Sequence, residues 1–222
     1  MLKVLLTGAT GRIGKAIIKE IVSESVILTI VGRDKATLEK IAQQNPDSIK
    51  IIVADLAVTD QLKNVVEQAH EFMQGIDVLI NNAAVFGFNE FSQLDPTIIN
   101  DVLDINLKAP LYLTHFALPH LMKNQQSLVI NIASIAGKEY FATAAAYCAS
   151  KFGLFGFAGS LFKEVRTSGV KVCTIAPGQI TLDENAAQNT LPAEDVAHVV
   201  KFIINYPSKK SCPSEIILQA QL

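Results

Sequence analysis

Short apolar segments of four to seven residues recur along the chain, and longer stretches with helical periodicity separate most of them. These segments lie at 3–7, 26–31, 49–54, 76–81, 127–133, 170–176 and 215–218. Apolar runs of this length are typical of strands that are covered on both faces. Strands that alternate with helices form parallel sheets. We therefore predict an α/β protein with three α/β/α layers, in which about seven strands form a doubly wound parallel sheet.

The same pattern predicts a single domain that spans residues 1–222. A chain of 222 residues can bury one large core, and no repeat, linker or change of composition divides it. Half of the residues are hydrophobic and 18% are charged, which suits a sheet that is buried on both faces.

Charge and composition argue against several classes of partner. The net charge of −2 gives no basic footprint for nucleic acid or for an anionic membrane surface. No segment reaches the ~18 continuous apolar residues that a membrane span needs, and the first residues do not resemble a signal peptide. The cysteines and histidines show no metal-ligand spacing. We expect a cytoplasmic protein that binds no metal, nucleic acid or membrane.

A glycine-rich turn, TGATGRIG at 7–14, follows the first predicted strand and opens a helix. Its glycines permit a tight turn and a close approach of the backbone to a ligand. The free N–H groups at the start of the next helix suit a pyrophosphate. In this position the turn predicts a Rossmann dinucleotide site, although a helix-capping turn without a ligand is an alternative. The cofactor contacts predicted here are Gly8, Thr10, Gly11, Arg12, Ile13 and Gly14.

The end of the second strand bears on the choice of nucleotide. Sites for NAD often place an acid there, to bind the ribose 2′-hydroxyl. This chain has Arg33 instead, and a guanidinium can bind a 2′-phosphate through charge-assisted bonds. We therefore favour NADP over NAD, and we interpret Asp34 as the N-cap of the next helix. An exposed loop arginine is the alternative for Arg33, and Arg12 could contact a phosphate or solvent.

The third and fourth strands end in DL and NNAA, at the edge of the sheet where ligands bind. Asp55 could accept a hydrogen bond from the adenine amino group. The small side chains of Ala83 and Ala84 would let the adenosine ribose lie against the backbone. Ordinary strand-end turns would explain the same residues. The cofactor contacts predicted here are Asp55, Leu56, Asn82, Ala83 and Ala84.

A tyrosine and a lysine, Tyr147 and Lys151, stand four residues apart in a run of small residues. On a helix such residues share one face. At ~4 Å and an effective dielectric of ~20, the lysine charge would favour the phenolate by roughly 4 kcal/mol, or about three pKa units. The pair could then exchange protons near neutral pH. A solvated helix face that carries both residues by chance is the alternative.

Taken together, the motifs resemble those of the short-chain dehydrogenases/reductases, in their shorter, single-domain branch. The resemblance runs in order through nearly the whole chain, and each motif is weak alone while the ordered combination is specific. Its parts are the glycine-rich turn, NNAA (81–84), NLKAP (106–110), Ser134, YCASK (147–151) and PG (177–178).

The resemblance implies a role for each matching residue in the reduction of a small carbonyl compound or the oxidation of an alcohol. Tyr147 would be the general acid and base, and Lys151 would lower its pKa and hold the nicotinamide ribose. Ser134 would donate a hydrogen bond to the substrate oxygen, and Asn106 would hold a water in a proton relay. A turn serine and a buried structural amide are the alternatives for the last two. Further cofactor contacts are implied at Pro177, Gly178, Ile180 and Thr181.

The chain also departs from the family pattern. The glycine-rich turn is spaced TGxxGxxG, where this branch has TGxxxGxG, and Ala84 stands where the branch usually has a glycine. The family tends to place a threonine four residues after the glycine of PG. Here Thr181 comes one residue early, and Leu182 occupies the position of that threonine. The substrate loop near 179–191 is short. Because so short a loop would close poorly over a substrate, we expect an open, shallow substrate site or one that a second subunit completes. The resemblance also implies a homodimer or homotetramer.

Two other functions remain open at this point. The short loop and the altered Thr181 region would suit a non-catalytic NADP-binding or redox-sensing protein. The glycine spacing alone suggests a nucleotide-sugar epimerase or dehydratase. The phenylalanines at 86, 88, 91 and 141 hint at an apolar or aromatic substrate, although they could simply pack.

Overall fold

The computed structural model describes residues 1–23, 25–124, 126–181, 189–208 and 210–221. The strands in this part of the chain form one parallel sheet, and they coincide with the seven segments predicted from the sequence. The strands are β1 (Leu2–Thr7), β2 (Val26–Gly32), β3 (Ile49–Val53), β4 (Val78–Asn81), β5 (Ser127–Ile132), β6 (Val170–Pro177) and β7 (Glu215–Leu218). Their spatial order is β3-β2-β1-β4-β5-β6-β7.

Helices cover both faces of the sheet, which confirms the predicted three-layer α/β/α architecture. The α-helices within the described ranges are α1 (Arg12–Ile21), α2 (Lys35–Ala42), α3 (Thr59–Met73), α4 (Pro96–Leu103), α5 (Ala109–Leu121), α6 (Ala145–Val165) and α7 (Ala193–Ile204). One apolar core lies between the sheet and α1, α2 and α7. A second core lies between the opposite face and α3, α5 and α6. None of the described helices is long and apolar enough to cross a membrane.

The strand order reverses beside β1, and this reversal positions the ligand cleft. The chain builds outward from β1 to β2 and β3, then returns to place β4 on the other side of β1. The helices that follow β1 and β4 therefore leave the sheet on opposite faces, and a crevice opens between them at the carboxyl ends of these strands.

Local sequence signals explain where several helices begin. The Asp34 carboxylate accepts a hydrogen bond from the Thr37 N–H, so this residue is the predicted N-cap of α2. Asp95 caps α4 in the same way, and Pro96 supplies a first helical residue that has no N–H to satisfy. At the start of α1, by contrast, Gly11 offers no side-chain cap.

Two histidine rings stack between the last turns of α3 and α5, at the opposite end of the sheet from the crevice. The ring centroids of His70 and His120 are 3.9 Å apart. The Nδ1 atoms of both rings are buried and have no hydrogen-bond partner. Burial, the neighbouring His70 and then Lys123 lower the pKa of His120, while Glu67 opposes them.

Because of the stacked histidine pair, we expect the free energy of unfolding to decrease on mild acidification. Because the folded-state pKa of His120 lies below its ordinary value of 6.5, the unfolded chain binds more protons as the pH drops. The unfolding temperature should therefore decrease between about pH 7 and pH 5. His120→Gln should flatten this decrease in a thermal denaturation series. The control, His115→Gln on an exposed position of the same helix, should keep the wild-type slope; equal slopes for all three proteins would contradict the prediction.

Candidate active site

A cleft of about 1220 Å³ lies beyond the carboxyl ends of the central strands. It brings together all of the residues predicted for the site except Asn106 and Thr181. The predicted residues that line it are Gly8, Thr10, Gly11, Arg12, Ile13, Gly14, Arg33, Asp55, Leu56, Asn82, Ala83, Ala84, Ser134, Tyr147, Lys151, Pro177, Gly178 and Ile180. Residues 182–188 of the predicted substrate loop, Leu182 among them, lie outside the described residues.

Hydrogen bonds join the glycine-rich turn to the end of β4. The Thr7 hydroxyl accepts from the N–H groups of Asn82 and Ala83 at 3.0 and 3.2 Å. The Asn82 amide donates in return to the carbonyls of Thr7 and Gly8, at 2.9 and 3.1 Å. The side-chain N–H groups of Asn82 are thereby used within the protein, so this residue shapes the floor of the cleft.

Two of the glycines are required by the geometry of the turn. Gly8 has φ +66°, and a Cβ there would lie 2.7 Å from the Cα of Ala83. A Cβ at Gly14 would overlap the carbonyl oxygen of Gly8. Gly11 is under neither constraint, and it exposes the start of α1 to the cleft. The backbone is thus held close to whatever occupies this end.

The charged residues at the end of the cleft that contains the glycine-rich turn differ in whether the protein itself holds their side chains. Arg33 is exposed and forms no hydrogen bond or ion pair with any part of the chain that the structure describes. The Asp55 carboxylate accepts from the Ala57 N–H at 3.1 Å, as in a strand-end turn. Arg12 donates from Nη1 to the Thr181 carbonyl at 3.1 Å. Arg12 therefore ties the glycine-rich turn to the segment that follows β6.

Backbone hydrogen bonds join the start of the segment that follows β6 to Leu191. The Leu191 N–H donates to the Gln179 carbonyl, and the Thr181 N–H donates to the Leu191 carbonyl, both at 2.8 Å. Ile180 forms an isolated parallel bridge with Leu191. Ile180 and Gln179 consequently face the cleft, whereas Thr181 does not line it.

Tyr147 and Lys151 share one face of α6, as predicted, and both are buried at the cleft. The Lys151 Nζ lies 5.6 Å from the centroid of the Tyr147 ring. It donates a hydrogen bond at 3.1 Å to the carbonyl of Ile132, the last residue of β5. Ser134 follows that strand, and its hydroxyl accepts from the Ala136 N–H at 3.2 Å. The ends of β5 and α6 therefore meet at this point.

The protonation behaviour of this group differs from the sequence-based prediction. Burial raises the pKa of the Tyr147 phenol to about 12, and hydrogen bonding to Ser134 opposes the rise only in part. The prediction that Lys151 lowers the pKa of Tyr147 is therefore wrong for the protein by itself. Desolvation is the largest influence on the pKa of Tyr147, and the Lys151 ammonium donates its hydrogen bond to the Ile132 carbonyl. Burial also lowers the pKa of Lys151, to about 8.

Asn106 occupies a π-helical segment, Asp104–Lys108, between α4 and α5. Its side-chain oxygen accepts from the Val85 N–H at 2.8 Å. Its amide nitrogen donates to the Val85 carbonyl at 2.9 Å and to the Ser150 hydroxyl at 3.3 Å. Both amide hydrogens are thus used within the protein, and the water relay implied for Asn106 stays a prediction. The residue fixes the chain that leaves β4 against α6.

Sequence reasoning missed several residues that line the cleft. Gln219 and Ala220 follow β7, so the rule that identified the other strand ends could have found them. Asn189 directly follows residues 182–188, which the structure does not describe, and no sequence motif marks it. Within the described residues, no cluster of three or more His, Cys, Asp or Glu side chains could hold a metal ion.

The amino-acid sequence matches a known protein family and is similar to several bacterial proteins. The family model for short chain dehydrogenase matches residues 3–192. An uncharacterized oxidoreductase of Staphylococcus aureus is 30% identical over 210 residues, which cover 92% of this chain and 91% of the relative. Nodulation protein G of Rhizobium meliloti is 33% identical over 178 residues, which cover 80% of this chain and 73% of that protein.

Solved structures agree with the sequence matches. The chain superposes on a metagenomic short-chain oxidoreductase in complex with NADP with a TM-score of 0.87 and 28% identity, covering 99% of this chain and 98% of the other. A short-chain oxidoreductase from Clostridium thermocellum, solved without a ligand, gives a TM-score of 0.88 and 27% identity, with coverages of 98% and 90%.

The buried ammonium predicts that removal of its charge stabilises the free protein. A pKa lowered from 10.5 to about 8 corresponds to about 3 kcal/mol of unfavourable burial. Lys151→Met keeps the length of the side chain but leaves the Ile132 carbonyl without this donor, a loss of about 1 kcal/mol. We expect the unfolding temperature to rise by a few °C in calorimetry.

Lys163→Met, at an exposed position of the same helix, is the matched control and should change the unfolding temperature by less than about 1 °C. A clear fall in the unfolding temperature of Lys151→Met would show that the lysine contributes more through its contacts than it costs through desolvation.

Proposed function

The chain belongs to the short-chain dehydrogenase/reductase family of oxidoreductases, and on that basis we propose that it interconverts a carbonyl and a secondary alcohol with NADP as cofactor. The observation that carries the proposal is the single cleft, which has the glycine-rich turn at one end and Tyr147, Ser134 and Lys151 at the other. A nucleotide cofactor and a small substrate would meet in it.

The residues at the turn fit a dinucleotide. The start of α1 has no side-chain cap and opens to the cleft at Gly11, so its N–H groups are available for a pyrophosphate. Arg33 has a guanidinium without a partner in the described chain and would bind the 2′-phosphate. The bound NADP of the 28% identical metagenomic relative supports the choice of NADP over NAD.

At the other end, the reaction would need a proton source beside the carbonyl oxygen. When bound, NADPH supplies the hydride that reduces the carbonyl carbon. Tyr147 would donate its phenolic proton to the oxygen, and Ser134 would donate a hydrogen bond as negative charge grows there. In alcohol oxidation the same groups would act in the opposite direction.

Lys151 and Asn106 would support this step in different ways. A lysine with a pKa of about 8 exchanges its proton readily near neutral pH, so Lys151 would return a proton to Tyr147 and contact the nicotinamide ribose. Asn106 would act as a positioning residue, because its amide fixes Val85 and Ser150 on either side of the site.

We further propose that copies of the chain associate through the outer faces of α5 and α6. Tyr112 exposes 41% of its surface on α5. On α6, an added Cβ at Gly156 or Gly159 would meet open space. An apolar helix face with room for close approach suits contact with a second subunit. A cytoplasmic location is part of the same proposal.

Tyr147→Phe tests the proposed general acid. The substitution removes the hydroxyl and keeps the ring, so carbonyl reduction should fall by roughly 10²-fold or more. The affinity for NADPH, measured by fluorescence titration, should stay within about threefold, because the adenosine and phosphate contacts are unchanged.

Tyr140→Phe provides a matched control. This tyrosine is largely exposed, stacks on Phe152 and does not line the cleft, so its variant should retain wild-type turnover. Equal reduction of a carbonyl panel by wild type and Tyr147→Phe would refute the assignment. Tight NADPH binding by both proteins without turnover would favour the redox-sensing alternative.

Arg33→Ala tests the proposed preference for NADP. Loss of a charge-assisted contact to the 2′-phosphate is worth about 2 kcal/mol, so the Kd for NADPH should rise roughly 30-fold. The Kd for NADH should hardly change. Arg166→Ala, at an exposed arginine beyond α6, is the control. Tighter binding of NADH than NADPH by the wild type would contradict the role of Arg33.

A further inference from the structure

Three exposed phenylalanines line the cleft that contains the buried Tyr147, and two of them lie against its ring. Phe86, Phe88 and Phe141 are 65%, 58% and 43% exposed, and all three line the cleft. The centroid of the Tyr147 ring lies 5.3 Å from that of Phe86 and 5.5 Å from that of Phe88. Contiguous exposed apolar surface beside a reactive group is typical of a ligand site.

The backbone holds two of these rings outward. In an extended segment, alternate residues point to the same side, so Phe86 and Phe88 share a side and Gly87 takes the other. Gly87 is buried against α4, where an added Cβ would lie 2.8 Å from Ile98 and 3.1 Å from Val102. The segment therefore cannot rotate its phenylalanines inward without displacing α4.

A backbone hydrogen bond joins the segment that carries Phe86 and Phe88 to the segment that carries Phe141. The Asn89 N–H donates to the Thr143 carbonyl at 2.9 Å. Thr143 has φ +64°, a conformation that β-branched residues rarely adopt, and it lies two residues from Phe141. The spacing between the Phe86–Phe88 pair and the Phe141 segment is thus set before any ligand binds.

Charge is distributed unevenly along the cleft. Among its described lining residues, the charged side chains are Arg12, Arg33, Asp55 and Lys151. The first three belong to the strand ends at the cofactor half. The Lys151 ammonium is buried and directed to Ile132. The described lining of the substrate half therefore offers aromatic and aliphatic surface, and within it no charged side chain is free to pair with an ionic substrate.

We infer that the substrate is an uncharged carbonyl compound, or the matching secondary alcohol, with an aromatic ring attached to the reacting carbon. The inference rests on the proposed oxidoreductase function. The aromatic ring of the substrate would lie between the Phe86–Phe88 pair and Phe141. Its adjoining carbonyl oxygen would then lie at Tyr147 and Ser134. In the reduction, the carbonyl carbon would gain a hydride that bound NADPH supplies, the oxygen would gain the phenolic proton of Tyr147, and NADP⁺ and the alcohol would leave.

A set of three matched ketones tests the inference. Acetophenone, cyclohexyl methyl ketone and 4-acetylbenzoate differ in aromaticity and charge at similar size. Binding is measured by ligand-observed NMR with the NADP⁺-loaded protein, in which no reduction occurs, and kcat/KM is measured separately with NADPH. We expect acetophenone to bind roughly tenfold more tightly than the other two.

Variants of the two rings provide the decisive comparison. Phe86→Leu and Phe88→Leu keep apolar bulk and remove the ring, so each should reduce the preference for acetophenone over cyclohexyl methyl ketone several-fold, and together should abolish it. Phe91→Leu is the matched control, because Phe91 is exposed in the same segment but does not line the cleft. Its preference should equal that of the wild type, and the Kd for NADPH should be unchanged in all variants.

The outcomes separate this inference from the proposed function. Turnover that depends on Tyr147 but shows no preference for acetophenone, or a preference that the leucine variants retain, overturns the inference and leaves the oxidoreductase function intact. Aryl binding that depends on Phe86 and Phe88 without any turnover supports the aromatic site and refutes the proposed reaction. Tight binding of 4-acetylbenzoate overturns the exclusion of charged substrates.

Discussion

The close approach of Gly8 to the chain that leaves β4 is the contact on which the cleft depends. With φ +66° and no Cβ, Gly8 lets the glycine-rich turn lie directly against Ala83, and the Thr7 and Asn82 hydrogen bonds fix that distance. The contact spans the point where the strand order reverses. The turn and the β4 end are thereby aligned as one continuous floor. At its far end, the floor meets the ends of β5 and α6.

The same floor connects, through rigid parts, the half of the cleft proposed for the cofactor and the half proposed for catalysis. Val85 follows the Ala83 contact, and the Asn106 amide binds its N–H and carbonyl. Asn106 in turn donates to Ser150 on α6, between the two residues of the proposed proton pathway. The π-helical segment projects this asparagine inward. Hydrogen bonds and the backbone from Ala83 to Val85 therefore connect the glycine-rich turn to the helix that carries Tyr147.

Much of this arrangement could be predicted from the sequence. Apolar runs located the strands, because parallel strands covered on both faces have few polar positions. The rule that ligands bind at strand ends then identified most of the predicted residues that line the cleft, and the four-residue spacing placed Tyr147 and Lys151 on one face. Capping chemistry predicted the role of Asp34.

Other features depend on three-dimensional packing that no local pattern contains. The pKa of Tyr147 is set by how completely α6 and its neighbours exclude water, and spacing alone gives only the distance to the lysine charge. Asn106 was identified by motif, but the partners of its amide lie 21 and 44 residues away. The phenylalanines near Tyr147 could have packed inward; burial of Gly87 against α4 decides that they face the mouth.

The hydrogen bond between Asn89 and Thr143 has a consequence for how such a site can diverge. Because it joins the segment of Phe86 and Phe88 to the segment of Phe141, the spacing of these segments is a property of the backbone rather than of side-chain rotamers. Substitutions at the rim can then alter which shapes enter while the proposed proton-transfer geometry beneath stays fixed. Selectivity and reactivity would be separable traits in descendants of this chain, each open to change by mutation without disturbing the other.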